Sequence, residues 1–128
     1  MIKIDVSAGE LLDKISILQI KKVKIKDPEK LSNVSKELDL LSKTAEKYRS
    51  IDSNKYDNFM NALLETNKKL WEIEDQIRIH EKDKQFNDDF IDLARKVYIN
   101  NDERFEIKSS INKFYDSGIK EEKEYVEY

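Results

Sequence analysis

The chain has 128 residues, with 24 basic and 27 acidic side chains and no cysteine. That excludes disulfides and thiol nucleophiles, and a net charge of −3 gives no global field that would draw the chain to nucleic acid or anionic lipid. Apolar residues make up 38% and recur periodically, while two glycines and one proline are too few for the turns of a sandwich or barrel, so the expected class is all-α.

Residues 1–6, MIKIDV, alternate Ile2, Ile4 and Val6 with Lys3 and Asp5, the period of a short strand. Such a strand needs a partner. The candidates are the C-terminal KEYVEY, within an acidic tail over 119–128, or a second copy of the chain in a homodimer. An irregular N-terminus is the alternative. MIKIDVSAGE has neither the basic start nor the apolar segment of a signal peptide, and no apolar run is long enough to span a membrane. A cytoplasmic location without membrane partners is therefore expected.

SAGE supplies a capping box, in which Ser7 accepts from the Glu10 amide and the Glu10 carboxylate reaches back to Ser7. The helix that follows carries Leu11, Ile15 and Leu18 as a stripe, widened nearly all round by Leu12, Ile17 and Ile20. Asp27 and Pro28 then fit the N-cap and first position of a second helix over 28–49, with Leu31, Val34, Leu38 and Leu41 facing the core. SIDSN at 50–54 reads as a turn. A long third helix over about 55–84 has Phe59, Leu63, Leu70, Ile73 and Ile77 in register. Asn87 caps a long fourth helix over about 88–116, which Gly118 would stop. The expected architecture is a four-helix, bundle-like single domain over residues 1–128.

The fourth helix poses the functional question. Ala94, Val97, Asn101, Arg104, Lys108 and Ile111 follow at alternating steps of three and four and share a face. Phe90, Leu93, Ala94 and Val97 read as an ordinary buried stripe, yet polar side chains replace it at 101, 104 and 108. A buried unpaired charge is costly, so these groups must meet partners, water or a ligand. Arg95, Tyr98 and Asp102 flank the line. The third helix offers Trp71, Glu74, Asp75, Arg78 and Glu81, with Glu74 placed to pair with Arg78 at i, i+4. The first adds Glu10, Lys14 and Lys21.

One reading is a polar cleft that binds a small anionic ligand: a phosphorylated sugar, a nucleotide or a carboxylate. Arg78, Arg95, Arg104 and Lys108 would hold the anion, with Lys14 and Lys21 in support. Trp71 or Tyr98 would stack on a flat moiety and Asn101 would discriminate by hydrogen bonds. Glu74 and Asp102 would orient the bases, and Glu74 is the one candidate general base should chemistry occur. The other reading is a non-catalytic interaction or assembly module whose charged centre is a structural salt-bridge network.

Sharper assignments fail on spacing. A ferritin-like di-iron site needs Glu-x-x-His, but Ile77 stands three before His80, the only histidine, which fits a helix C-terminus better. All-α nucleotide pyrophosphohydrolases are matched only at Glu72-x-x-Asp75, and helical chorismate mutases lack a counterpart for their arginine-bearing first helix. No metal or cofactor is expected. KKVKIK at 21–26 reads as a solvated helix face, since no aromatic platform is interleaved for nucleic acid.

Five stretches, MIKIDVSAGELLDKISILQIK, DPEKLSNVSKEL, LWEIEDQIR, FIDLARKVYINNDERFEIKSSIN and EEKEY, resemble a domain family of unknown function from small bacterial and marine-phage proteins. The resemblance spans nearly the whole chain and implies that these segments belong together. It carries no catalytic residues. Through the occurrence of relatives near surface-polysaccharide genes, it also implies a sugar nucleotide or sugar phosphate as the ligand.

Overall fold

A computed structural model describes all 128 residues. Four helices follow in order, α1 (Ala8–Lys24), α2 (Pro28–Ile51), α3 (Ser53–Lys82) and α4 (Asp88–Phe114). Each begins at a side-chain cap. Ser7 Oγ accepts from the Glu10 amide at 3.1 Å, Asp27 from Lys30 at 3.3 Å, Asp52 from Lys55 at 3.0 Å and Asn87 from Phe90 at 3.1 Å. Asp52 alone separates α2 from α3, so the turn expected over 50–54 shrinks to one residue that ends one helix and caps the next.

Two helix ends use a left-handed residue other than glycine. At the end of α3, Lys84 has φ 54°, the Gln85 amide donates to the His80 carbonyl and the Lys84 amide to that of Glu81. At the end of α4, Asp116 has φ 49°, the Ser117 amide donates to Asn112 and the Asp116 amide to Lys113. Both are Schellman turns. The second stops α4 before Gly118, which plays no part in ending the helix.

The helices run up, down, up, down. α1 touches all three others, whereas α2 and α4 flank the α1–α3 pair and their backbones do not approach each other closely. This explains why α1 is apolar on most sides. The core gathers at the end where α1 begins and α4 finishes, around Leu11, Leu12, Ile15, Met60, Leu63 and Ile111. Tyr115, just past α4, closes it by packing on Tyr48 at 4.7 Å between ring centroids.

The opposite end is thinner. Only α3 backs the start of α4, so Phe90, Leu93 and Val97 are half-buried and Ala94 is exposed, in place of the buried stripe that their spacing suggests. Ile79, Phe86, Ile91 and Ile99 there are also exposed.

No strand forms at either terminus. Residues 1–6 have no regular structure, are exposed and make no hydrogen bond to the C-terminal tail. The tail instead doubles back along α4: Glu121 meets Lys108, Lys123 lies 5.3 Å from the Phe105 ring, and Tyr128 donates to Asp102 and packs on Tyr98. These anchors on α4 hold the segment that would otherwise have been free to pair with the N-terminus.

Candidate functional site

The polar face of α4 divides into a closed part and an open part. In the closed part, Lys108 is 5% exposed and lies between two carboxylates, Glu10 of α1 at 2.9 Å and Glu121 of the tail at 2.6 Å. Burial acts to lower the Lys108 pKa, but hydrogen bonds to Glu121 and Glu10 outweigh it and hold the ammonium above the ordinary lysine value. The hydrogen bond from Lys108 holds Glu121 below the usual carboxylate range. Glu10 therefore serves Lys108, and only the Ser7 half of the capping box forms.

One turn further along α4, Asn112 accepts from the Gly9 amide at 2.7 Å, supplying a buried partner to the start of α1. Gly9 is required by proximity. A Cβ there would stand 2.6 Å from the Lys108 carbonyl oxygen and 2.9 Å from Asn112 Oδ1.

A second buried cluster leads from this seam toward solvent. Asp13, 3% exposed, accepts from Asn67 Nδ2 at 2.9 Å, and the same amide donates to Ser16 Oγ at 2.8 Å. Arg104 reaches the cluster loosely, with Nη1 3.5 Å from Asn67 Oδ1 and Nε 3.8 Å from Asp13 Oδ1. Most of its five donors are left free for other acceptors.

Beyond Arg104 a cleft of about 340 Å³ opens between α1, α3 and α4. Ile17, Ile20 and Leu70 form its apolar wall with the half-buried Trp71 at one side. Its polar lining is Asn67, Glu74, Asp75, Arg78, Asn101 and Arg104. Arg78 makes no ion pair, and the expected Glu74–Arg78 bridge is absent. Two guanidinium groups and two carboxylates thus share one open space with an indole.

Of the residues singled out in the sequence, Trp71, Glu74, Asp75, Arg78, Asn101 and Arg104 come together here. The others do not. Lys14 pairs with Glu37 of α2 at 3.4 Å, because its position turns it away from α3 and α4. Lys21, seven residues on, shares that face and does not line the cleft. Lys108 lies a turn below and is closed off by its carboxylates. Arg95 is exposed, off the line that enters the cleft. Tyr98 and Asp102 lie under the tail, in contact with Tyr128, whose hydroxyl pKa rises because it donates to Asp102.

Asp13, Ser16, Asn67 and Glu121 were not singled out. Asp13 and Asn67 carried a signal: Asp13 precedes Ile17 and Ile20 in register, and Asn67 interrupts the Leu63–Leu70 stripe as Asn101 interrupts that of α4. Glu121 carried none, because it acts from an irregular tail.

Comparison with a family of unknown function, DUF6165, gives a match over residues 2–127. The chain belongs to that family. Searches of curated proteins and of solved structures return no match. No helix is long and apolar enough to cross a membrane.

Proposed function

We propose that this DUF6165 protein binds a small anionic ligand in the cleft between α1, α3 and α4. The observation that carries this reading is the placement of Arg78 and Arg104 in one cleft, Arg78 without an ion-pair partner and Arg104 with only long contacts. Guanidinium groups with free donors suit a phosphate or carboxylate bidentately. Trp71 offers a face for a sugar ring or base, Asn101 an amide for hydrogen bonding, and Glu74 and Asp75 acceptors for hydroxyls. That mixture fits a phosphorylated sugar or nucleotide better than a bare anion, because the two carboxylates would repel an anion without donor groups of its own. Glu74 is the carboxylate available as a general base if the bound ligand reacts.

The test is thermal unfolding followed by Trp71 fluorescence, against phosphate, nucleotides, sugar nucleotides, sugar phosphates and dicarboxylates. A ligand at a hundred times its dissociation constant adds about 2.7 kcal/mol, enough to raise the midpoint by several degrees. Arg78→Ala should leave the unliganded midpoint almost unchanged, its side chain being exposed, and abolish the rise. Cooperative unfolding with no shift across the panel would refute the reading.

A second reading, an interaction module whose inner charges fix helix register, draws support from the closed Lys108–Glu10 and Asp13–Asn67 contacts. The two readings divide the polar residues between them: the closed contacts build the frame, and the open cleft takes the ligand.

A further inference from the structure

The N-terminal segment has a geometry that the bundle does not use. Ile2, Ile4 and Val6 are 93%, 78% and 46% exposed, although they are among the most apolar residues of the chain. The backbone forms no helix, turn or bend through them up to the extended Ser7, and no amide or carbonyl from Ile2 to Val6 has a hydrogen-bond partner within the chain. An exposed segment with unpaired backbone groups and alternate apolar side chains is a template for strand pairing.

The segment is also complementary to itself. Laid antiparallel on a second copy with Ile4 opposite Ile4, it places Lys3 opposite Asp5 on both sides and Ile2 opposite Val6. All six apolar side chains then lie on one face and all four charges are paired on the other. Alternatives lose this match. A shift by two residues sets Lys3 against Lys3 or Asp5 against Asp5, and a parallel in-register alignment pairs like with like throughout. A shift by one moves the apolar set to opposite faces.

We infer that two copies of the chain associate through an antiparallel ribbon of residues 2–6, about a two-fold axis at Ile4. A two-stranded ribbon alone is marginal, so its apolar face needs cover. The start of α1, the α2–α3 junction and the end of α4 lie at one end of the bundle, where the Ala8 amide donates to Ser117 Oγ at 3.3 Å. Ile51, Phe114 and Ile119 at that end are 66%, 41% and 50% exposed. The ribbon therefore leaves the bundle at the end that carries these exposed apolar side chains, and two-fold symmetry brings both copies of that end to the same ribbon.

Sedimentation equilibrium of the full chain tests this. The unaltered protein should dimerise, and Lys3→Asp or Asp5→Lys alone should weaken the dimer about tenfold, since each sets two like-charge pairs across the ribbon. Both side chains are exposed, so the helical content of either variant should be unchanged. Mixing the two variants in equal amounts should restore association, because one chain then carries acids and the other bases at both positions. A monomer at every concentration would overturn the inference. So would a dimer indifferent to either change, or variants that mixing does not rescue.

Discussion

The seam between α1 and α4 is built in two ways along its length. At the closed end, α1 offers Gly9, Glu10 and Asp13; Gly9 and Glu10 find partners in Asn112 and Lys108, and Asp13 in Asn67 of α3. Further along, α1 offers Ile17 and Ile20, which can satisfy neither Asn101 nor Arg104, and a cleft stands there instead. The same polar stripe on α4 is thus frame where its neighbour supplies acceptors and candidate site where it does not. Asn101, Arg104 and Lys108 occupy core-like positions because the neighbouring surface is itself polar at one end and open at the other.

If this division is right, substitutions in the closed end should change stability and leave ligand-induced shifts intact. Lys108→Met should have the largest effect. It leaves two carboxylates without their shared cation, but their side chains are 47% and 35% exposed and remain partly hydrated, so the loss is about 2 to 3 kcal/mol rather than the full cost for a buried pair. A urea midpoint unchanged from the parent would show that Lys108 does not hold the seam. Gly9→Ala comes next, at about 2 kcal/mol, because the new methyl meets backbone that cannot rotate away and the Gly9–Asn112 bond must lengthen. Were it neutral, the close approach of α1 to α4 would be less tight than 2.6 Å implies.

Arg104→Ala examines the boundary between the two parts. A residue of a buried network would cost about 3 to 5 kcal/mol on removal. Arg104 is 30% exposed in its side chain and held by contacts of 3.5 and 3.8 Å, and Asp13 keeps its bond to Asn67. The expected loss is about 1 kcal/mol, together with loss of any ligand-induced rise in the unfolding midpoint. A loss near the upper figure would assign Arg104 to the closed frame and leave Arg78 as the cleft's only available cation.

The sequence made the helices legible because they are announced by local chemistry. Ser7, Asp27 and Asn87 each cap where their type and position suggest, and the stripes of α1, α2 and α3 follow the helical period. The polar break in α4 was equally visible, and two of its residues, Asn101 and Arg104, line the cleft. What could not be read was the partner of each polar group, since that depends on helix rotation and on chain crossings of about a hundred residues, as between Glu10 and Lys108. Lys14 and Arg104 are alike as basic residues on stripes, yet one faces Glu37 and the other Asn67. Short-range rules failed where long-range contacts took over. Glu10 abandons its own capping box for Lys108, and the tail lies along α4 because Glu121 and Tyr128 find partners there.

The tail is where the smallest effect is expected, and it responds to pH from both sides. Glu121 has its pKa lowered by Lys108, so its contribution is present above the ordinary glutamate range and disappears as pH falls through the depressed value. Lys108 and Tyr128 are shifted upward, the latter by its hydrogen bond to Asp102, so their contributions are complete below their ordinary values and vanish as pH rises through the raised ones. Docking should therefore hold from about pH 4 to about pH 10. The ring-carbon shifts of Tyr128 would follow it, moving toward free-tyrosine values outside that window. Glu121→Gln should cost under about 1 kcal/mol, because the pair is partly solvated, and should remove the acid limb while leaving the alkaline one in place. If the acid limb persisted in that variant, the tail would be held by Tyr128 and Asp102, and Lys108 would depend on Glu10 alone.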